Sequence, residues 1–180
     1  MQLMEEILTE IQSVMKQVKE SELINAVEVL IQAKRVFVLG EGRSGLQGKG
    51  FAMRLMHLRE TVYVIGESTT PSVKTGDLLI AISGSGTTAS TLALAKKAKS
   101  NGVKVLGISS EANSPLIATA DFALMIPGAT KTGSGLTSIQ LLSTLFDQTL
   151  HIALDYICLL LSKRKAVGNE EAHQQHSNME

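Results

Sequence analysis

The sequence predicts an α/β fold: a three-layer αβα sandwich built around a five-stranded parallel sheet. Three observations carry this. Short, continuously apolar runs recur along the chain, segments of helical periodicity separate most of them, and clusters of Gly, Ser and Glu follow the carboxyl ends of the runs. Strands that are apolar on both faces belong to parallel sheets covered by helices on each side. Ligands of such sheets sit at the carboxyl ends of the strands.

The elements follow in order. Met4, Ile7, Ile11, Val14 and Val18 are spaced by threes and fours, a short heptad-like seam. That seam packs either on its own domain or on another subunit. Ser21 opens a second helix, with Leu23, Val27, Leu30 and Ile31 on one side. Strands are predicted over 36–39, 62–65, 78–82, 103–108 and 122–126. Turn signals flank them: Thr75-Gly76-Asp77, Asn101-Gly102 and Pro127-Gly128. Helices are predicted over 46–58 and 89–100, with a short one after Ser114-Pro115. A long apolar segment, 141–161, contains Asp147, Gln148, His151 and Asp155, which are costly at a bilayer centre. It therefore reads as a buried or interface helix and not as a membrane span. The divisions are N-terminal helices 1–33, sheet core 34–130, long helix 135–165 and tail 166–180, in a single domain.

Composition removes several function classes. A chain of 180 residues with 44% hydrophobic and 19% charged content can bury a core. Seventeen Lys and Arg balance 17 Asp and Glu, so charge gives no case for nucleic acid or an anionic membrane as partner. The single cysteine, Cys158, excludes an intramolecular disulfide framework and points to a reducing, cytoplasmic setting. The N-terminus carries no signal-peptide pattern. His57, His151, His173 and His176 have no metal-ligand spacing, so no metal is expected.

The chemistry concentrates in three strand-end clusters: GEGRSG at 40–45, GES at 66–68 and SGSGTT at 83–88. The last joins a strand to a helix. N–H groups at a helix N-terminus and the helix dipole favour an anion there. Gly84 and Gly86 let the backbone approach closely, and Ser83, Ser85, Thr87 and Thr88 add hydroxyl donors. No Lys follows, so the loop is not a nucleotide P-loop and is sized for one phosphate. GEGRSG has the GxGxxG spacing of a dinucleotide fingerprint, with Glu67 as the acidic residue after the next strand. The second hydroxyl-rich loop suits a phosphate-bearing sugar better, and the residues alone leave both readings open.

At this point a family comes into view. Strand–SGSGxT–helix resembles the sugar isomerase (SIS) domain, a flavodoxin- or Rossmann-like phosphosugar-binding fold. GxGRSGxxxxxFAMRLMHL at 40–58, VIGExxTP at 64–71, LFDQT at 145–149 and HSNME at 176–180 resemble the 6-phospho-3-hexuloisomerases. The resemblance spans nearly the whole chain, and FAMRLMH and HSNME are its most specific parts. It implies interconversion of D-arabino-3-hexulose 6-phosphate and fructose 6-phosphate, through a cis-enediol, in the ribulose monophosphate pathway of formaldehyde fixation. It implies no cofactor, and a homotetramer arranged as a dimer of dimers. Two other classes remain: a non-catalytic phosphosugar-binding SIS protein, and an isomerase of a related sugar phosphate.

The resemblance also implies roles. Ser83, Ser85 and Thr88, with Gly86 and Thr87, hold the phosphate, and Ser44 either joins them or caps its helix. Arg43 faces substrate oxygens or makes an ion pair. Glu67 meets sugar hydroxyls, acts as a second acid/base, or forms an interface salt bridge. Asp147 stands where the family has Glu, and it is the expected base. Losing a methylene shortens its reach by about 1.5 Å. Gln140-Leu141-Leu142-Ser143-Thr144 replaces the family's Gln-Pro-Met-Gly-Ser, which would let the helix begin earlier. His176, in a tail expected to fold over a sugar site in its own or an adjacent subunit, moves the proton between oxygens or opens the ring.

Overall fold

The computed structural model describes residues 1–128 and 136–179. Its elements are α1 (Gln2–Met15), α2 (Glu20–Gln32), β1 (Val36–Gly40), α3 (Gly42–His57), β2 (Val62–Val64), β3 (Leu78–Ile82), α4 (Ala89–Ser100), β4 (Lys104–Ser109), α5 (Pro115–Thr119), β5 (Phe122–Met125), α6 (Thr144–Lys165) and α7 (Asn169–Gln174). The strands form one parallel sheet in the order β2-β1-β3-β4-β5. The chain moves outward from β1 to β2, then returns across β1 to β3. That reversal opens a crevice at the carboxyl ends of β1 and β3, where doubly wound sheets bind their ligands.

Successive side chains of a strand point to opposite faces, and the sheet has two cores in consequence. Val36, Val38, Leu78, Ile80, Ile82, Leu106 and Ile108 pack with α2, α3 and α6. Phe37, Leu39, Leu79, Ala81 and Val105 pack with Ala95 and Ala98 of α4 and Leu116 of α5. The three layers expected from the sequence are present. Each strand holds a continuous run of buried or half-buried residues, as a sheet covered on both sides requires.

Two helix starts differ from expectation. Helix α3 begins at Gly42, four residues before the apolar periodicity at Leu46 makes itself felt. Gly42 turns the chain out of β1 at φ +57°, a conformation open to glycine at little cost. Helix α6 begins at Thr144 and not at Leu141, so the altered upstream sequence does not lengthen it. Leu142 takes φ +57° and leaves both Leu141 and Leu142 exposed. Glu10 of α1 holds this approach: its carboxylate accepts hydrogen bonds from Ser138 Oγ (2.8 Å), Ile139 N (2.8 Å) and Gln140 Nε2 (3.2 Å).

By length and composition α6 could cross a membrane. Its apolar face is buried against the sheet, however, with Leu145, Phe146, Leu150, Ala153, Leu154, Ile157 and Leu161 in the core. Asp155 pairs with Arg54 of α3 at 2.5 Å. In α1, Val14 is buried, Ile7 and Ile11 are half-buried and Met4 is exposed, so the seam meets its own chain only toward its C-terminal end.

The β5 edge has its own electrostatic anchor. Asp121 Oδ2 accepts the Val105 N–H (2.9 Å), and Oδ1 takes Lys99 Nζ (2.7 Å) and Lys104 Nζ (3.4 Å). Burial alone would push this carboxyl up, but these partners together hold it below the ordinary carboxylate range. A depressed folded pKa contributes stability that is present above the unfolded value, about 3.9, and is lost as pH falls through the folded value. Asp121→Asn should therefore destabilise the protein by about 2 kcal/mol at pH 7, the worth of charge-assisted hydrogen bonds. The deficit should shrink toward pH 3, as read by denaturant melts at both pH values.

Candidate active site

The crevice between β1 and β3 contains a cavity of about 270 Å³. Its lining includes Arg43 and Ser44 from the start of α3, Ser83, Ser85 and Thr88 before α4, and Ser143 and Phe146 at the start of α6. Three helix N-termini therefore converge on one space. Thr88, the N-cap of α4, makes no side-chain capping bond, nor do Glu41 of α3 and Ser143 of α6. The first-turn N–H groups of a helix have no intrahelical acceptor, and the dipole adds partial positive charge. With the hydroxyls of Ser44, Ser83, Ser85, Thr88 and Ser143 around it, the space is suited to an anion.

The loop after β3 is held by its own hydroxyls. Ser83 Oγ lies 2.9 Å from Thr88 Oγ1 and accepts the Gly86 N–H at 3.1 Å. Ser85 Oγ is 2.9 Å from Thr87 Oγ1 and accepts the Thr87 N–H at 3.3 Å. Gly86 has φ +64°, and a Cβ there would lie 2.1 Å from Ser114 Oγ. Gly86, expected among the phosphate contacts, does not line the cavity. Its N–H is taken by Ser83, and it serves to make the turn possible. Thr87 is exposed and does not line the cavity; its hydroxyl positions Ser85. Ser44 does not cap α3, because the helix has already begun at Gly42; its side chain faces the cavity.

Arg43 ties two helix starts together. Its guanidinium donates from Nη1 to Thr144 Oγ1 (2.8 Å) and from Nη2 to Ser143 Oγ (2.9 Å), while Nε meets Asp147 Oδ2 at 3.0 Å. Arg43 thus lines the cavity and also makes an ion pair within the chain. Asp147 is buried in the first turn of α6, and Ser143 Oγ lies 3.3 Å from its Oδ2. The carboxylate is not in the cavity wall. It stands directly behind Arg43 and Ser143, which are.

Two other expected site residues lie elsewhere in this chain. Glu67 turns away from the cavity and meets Lys49 of α3 at 2.7 Å, with both groups exposed. The strand end carries it to the outer face of α3, so the expected contact with sugar hydroxyls in its own cavity is not made. His176 stacks on His57 with ring centroids 5.2 Å apart. His57 ends α3, thirteen residues beyond Ser44, or about 20 Å along the helix at 1.5 Å per residue. The tail, which contains α7, thus docks on the far end of α3 and does not cover its own chain's cavity. Burial, the neighbouring His176 and Arg54 all push the His57 imidazole below its ordinary value. Glu180, the last residue of HSNME, and residues 129–130 of the expected sheet core lie outside the described residues.

Glu41 is a wall residue that the sequence reading passed over. Its signal was available, since it stands in a strand-end cluster by the same rule that singled out Glu67. Among the described residues, no group of three or more His, Cys, Asp or Glu is placed to hold a metal ion. Cys158 is buried, and that burial raises its thiol to about 11.

A family profile described as the SIS domain matches residues 29–152. A 3-hexulose-6-phosphate isomerase of Mycobacterium gastri is 41% identical over 152 residues, which is 84% of this chain and 76% of that protein. A Bacillus subtilis protein of the same name is 35% identical over 177 residues, 97% of this chain and 96% of its own. A crystal structure of a Methanococcus jannaschii protein, for which a function of 3-hexulose-6-phosphate isomerase was inferred, superposes with a TM-score of 0.87. It is 33% identical and covers 100% of both chains.

Proposed function

This chain belongs to the SIS domain family, as an isomerase of phosphorylated sugars, and from that premise we propose that it interconverts D-arabino-3-hexulose 6-phosphate and fructose 6-phosphate. The observation that carries the reading is the cavity at the β1/β3 crevice, where three helix N-termini and five hydroxyl side chains converge. It has the size and polarity for one phosphate and a short polyol.

In this proposal Ser83, Ser85 and Thr88 hold the phosphate, with Ser44 reaching in from α3. A base removes the proton from C2 of the 3-ketose and returns it to C3, through an enediol spanning both carbons. The hydroxyl proton passes from O2 to O3, so the ketone ends at C2 and the atoms balance without an outside redox partner. Asp147 is assigned as the base, which requires substrate binding to bring its carboxylate past Ser143 and Phe146, the wall residues that stand between it and the cavity. Arg43, already oriented by Asp147, stabilises charge on the enediol oxygens.

His176 serves a neighbouring subunit, carrying the proton between oxygens, because it docks on His57, about 20 Å along α3 from the cavity residue Ser44. Support for an assembly comes from the adjoining faces of α3 and α6, where Leu46, Met53, Ile152 and Leu159 are exposed. A homotetramer built as a dimer of dimers would cover them. The reducing cytoplasm suits its single buried thiol.

The test couples conversion of hexulose 6-phosphate to detection of fructose 6-phosphate. Turnover by the native chain, inhibited competitively by inorganic phosphate, is expected. Absence of turnover with phosphosugar binding intact would make the chain a binding protein instead.

A further inference from the structure

The cavity wall carries a carboxylate with no part in the chemistry above. Glu41 leaves β1 in an extended conformation, φ −112° and ψ 148°, as the N-cap of α3. Its side chain crosses the β1/β3 crevice, and Oε1 accepts a hydrogen bond from Ser90 Oγ at 2.8 Å. Ser90 lies in the first turn of α4, whose N-cap, Thr88, lines the cavity. Glu41 is thus tethered on the cavity wall beside the phosphate position, by a neutral hydroxyl and not by a cation.

Charge bookkeeping on the wall gives this position its weight. Arg43, the wall's guanidinium, is paired with Asp147 at 3.0 Å. Among the described residues no Lys, Arg or His lies within ion-pair distance of Glu41. The helix N-termini favour one anionic group, and Glu41 opposes a second. A carboxylate only accepts hydrogen bonds, so it suits sugar hydroxyls, which donate. It repels a phosphate or carboxylate elsewhere on the ligand, and like charges brought together at a partly enclosed site are screened less than in bulk water.

We propose that Glu41 is a specificity-determining residue, restricting the cavity to sugar monophosphates whose remaining carbons bear only hydroxyl and carbonyl groups, and rejecting bisphosphates and phosphorylated sugar acids. This deepens the phosphosugar reading and rests on it. Ser90 is the positioning residue that holds the carboxylate across the crevice.

The experiment measures inhibition constants for inorganic phosphate, a hexose 6-phosphate and a hexose 1,6-bisphosphate, on the native chain and on Glu41→Gln and Ser90→Ala. The native chain should prefer the monophosphate over the bisphosphate by tenfold or more. Glu41→Gln should reduce that ratio at least fivefold, and inorganic phosphate should bind more tightly. Ser90→Ala, which releases the tether but keeps the charge, should reduce the ratio by a smaller factor. An unchanged ratio in Glu41→Gln, with phosphate and monophosphate still bound, overturns the role of Glu41 alone. Failure of the native chain to bind either one overturns the phosphosugar reading and this inference with it.

Discussion

Asp147→Asn is expected to lower kcat for hexulose 6-phosphate by roughly 10²- to 10⁴-fold, the range lost with a positioned general base. The argument begins with shape. Asn is nearly isosteric, and its amide oxygen can still accept from Arg43 Nε, now 3.0 Å from the carboxylate. The link between α3 and α6 should survive, KM should move little, and the loss should fall on kcat. Asp147→Glu is the informative companion. It adds one methylene, extending the reach by about 1.5 Å toward the wall formed by Ser143 and Phe146. Since misplacement on the order of 1 Å can cost about a hundredfold, Asp147→Glu should raise kcat. If Asp147→Asn instead leaves kcat within twofold and raises KM, Asp147 is the anchor of Arg43, and the base lies elsewhere.

Gly86→Ala should be strongly damaging for a single added methyl. At φ +64° an Ala meets the left-handed penalty of about 1–2 kcal/mol. Its Cβ would lie 2.1 Å from Ser114 Oγ and 2.3 Å from Ser114 Cβ, so the loop or α5 must move. Overpacking of this kind adds about 1–3 kcal/mol. A total loss near 3 kcal/mol would lower Tm by about 6–12 °C for a domain of this size. Because the Gly86 N–H holds Ser83, inorganic phosphate should also bind more weakly. Ser114→Gly in the Gly86→Ala background removes the obstructing side chain and should recover at least about 1 kcal/mol, leaving the backbone penalty. Strict additivity of the two changes would show that Ser114 is not the obstacle.

Much of the framework was readable from residue order because it is local. Continuous apolar runs, turn dipeptides and the strand–loop–helix at 78–100 are set by neighbours in sequence. Helix starts were harder. Leu141 and Leu142 continue the apolar periodicity of α6, yet Leu142 bends away at φ +57° and the helix starts only at Thr144. Gly42 and Gly45 weaken the helical signal of a segment that α3 nevertheless includes. The hydroxyls that line the cavity stood out through loop chemistry. The partners of the charged candidates were not. Lys49 for Glu67, Arg43 for Asp147 and His57 for His176 are tertiary choices between residues 18 to 119 positions apart. Glu41 was missed because motif matching treats the residue between two glycines as filler.

The three bonds of Arg43 have a consequence for the order in which this protein is made. The phosphate loop is complete once the ribosome has added residue 88, and the sheet once it has added Met125. The floor of the cavity is still missing then, for Arg43 takes its partners from Ser143, Thr144 and Asp147. Closing a contact across a hundred residues is among the last events in assembly. A nascent or truncated chain ending before α6 would carry the loop at 83–88 but lack the partners of Arg43.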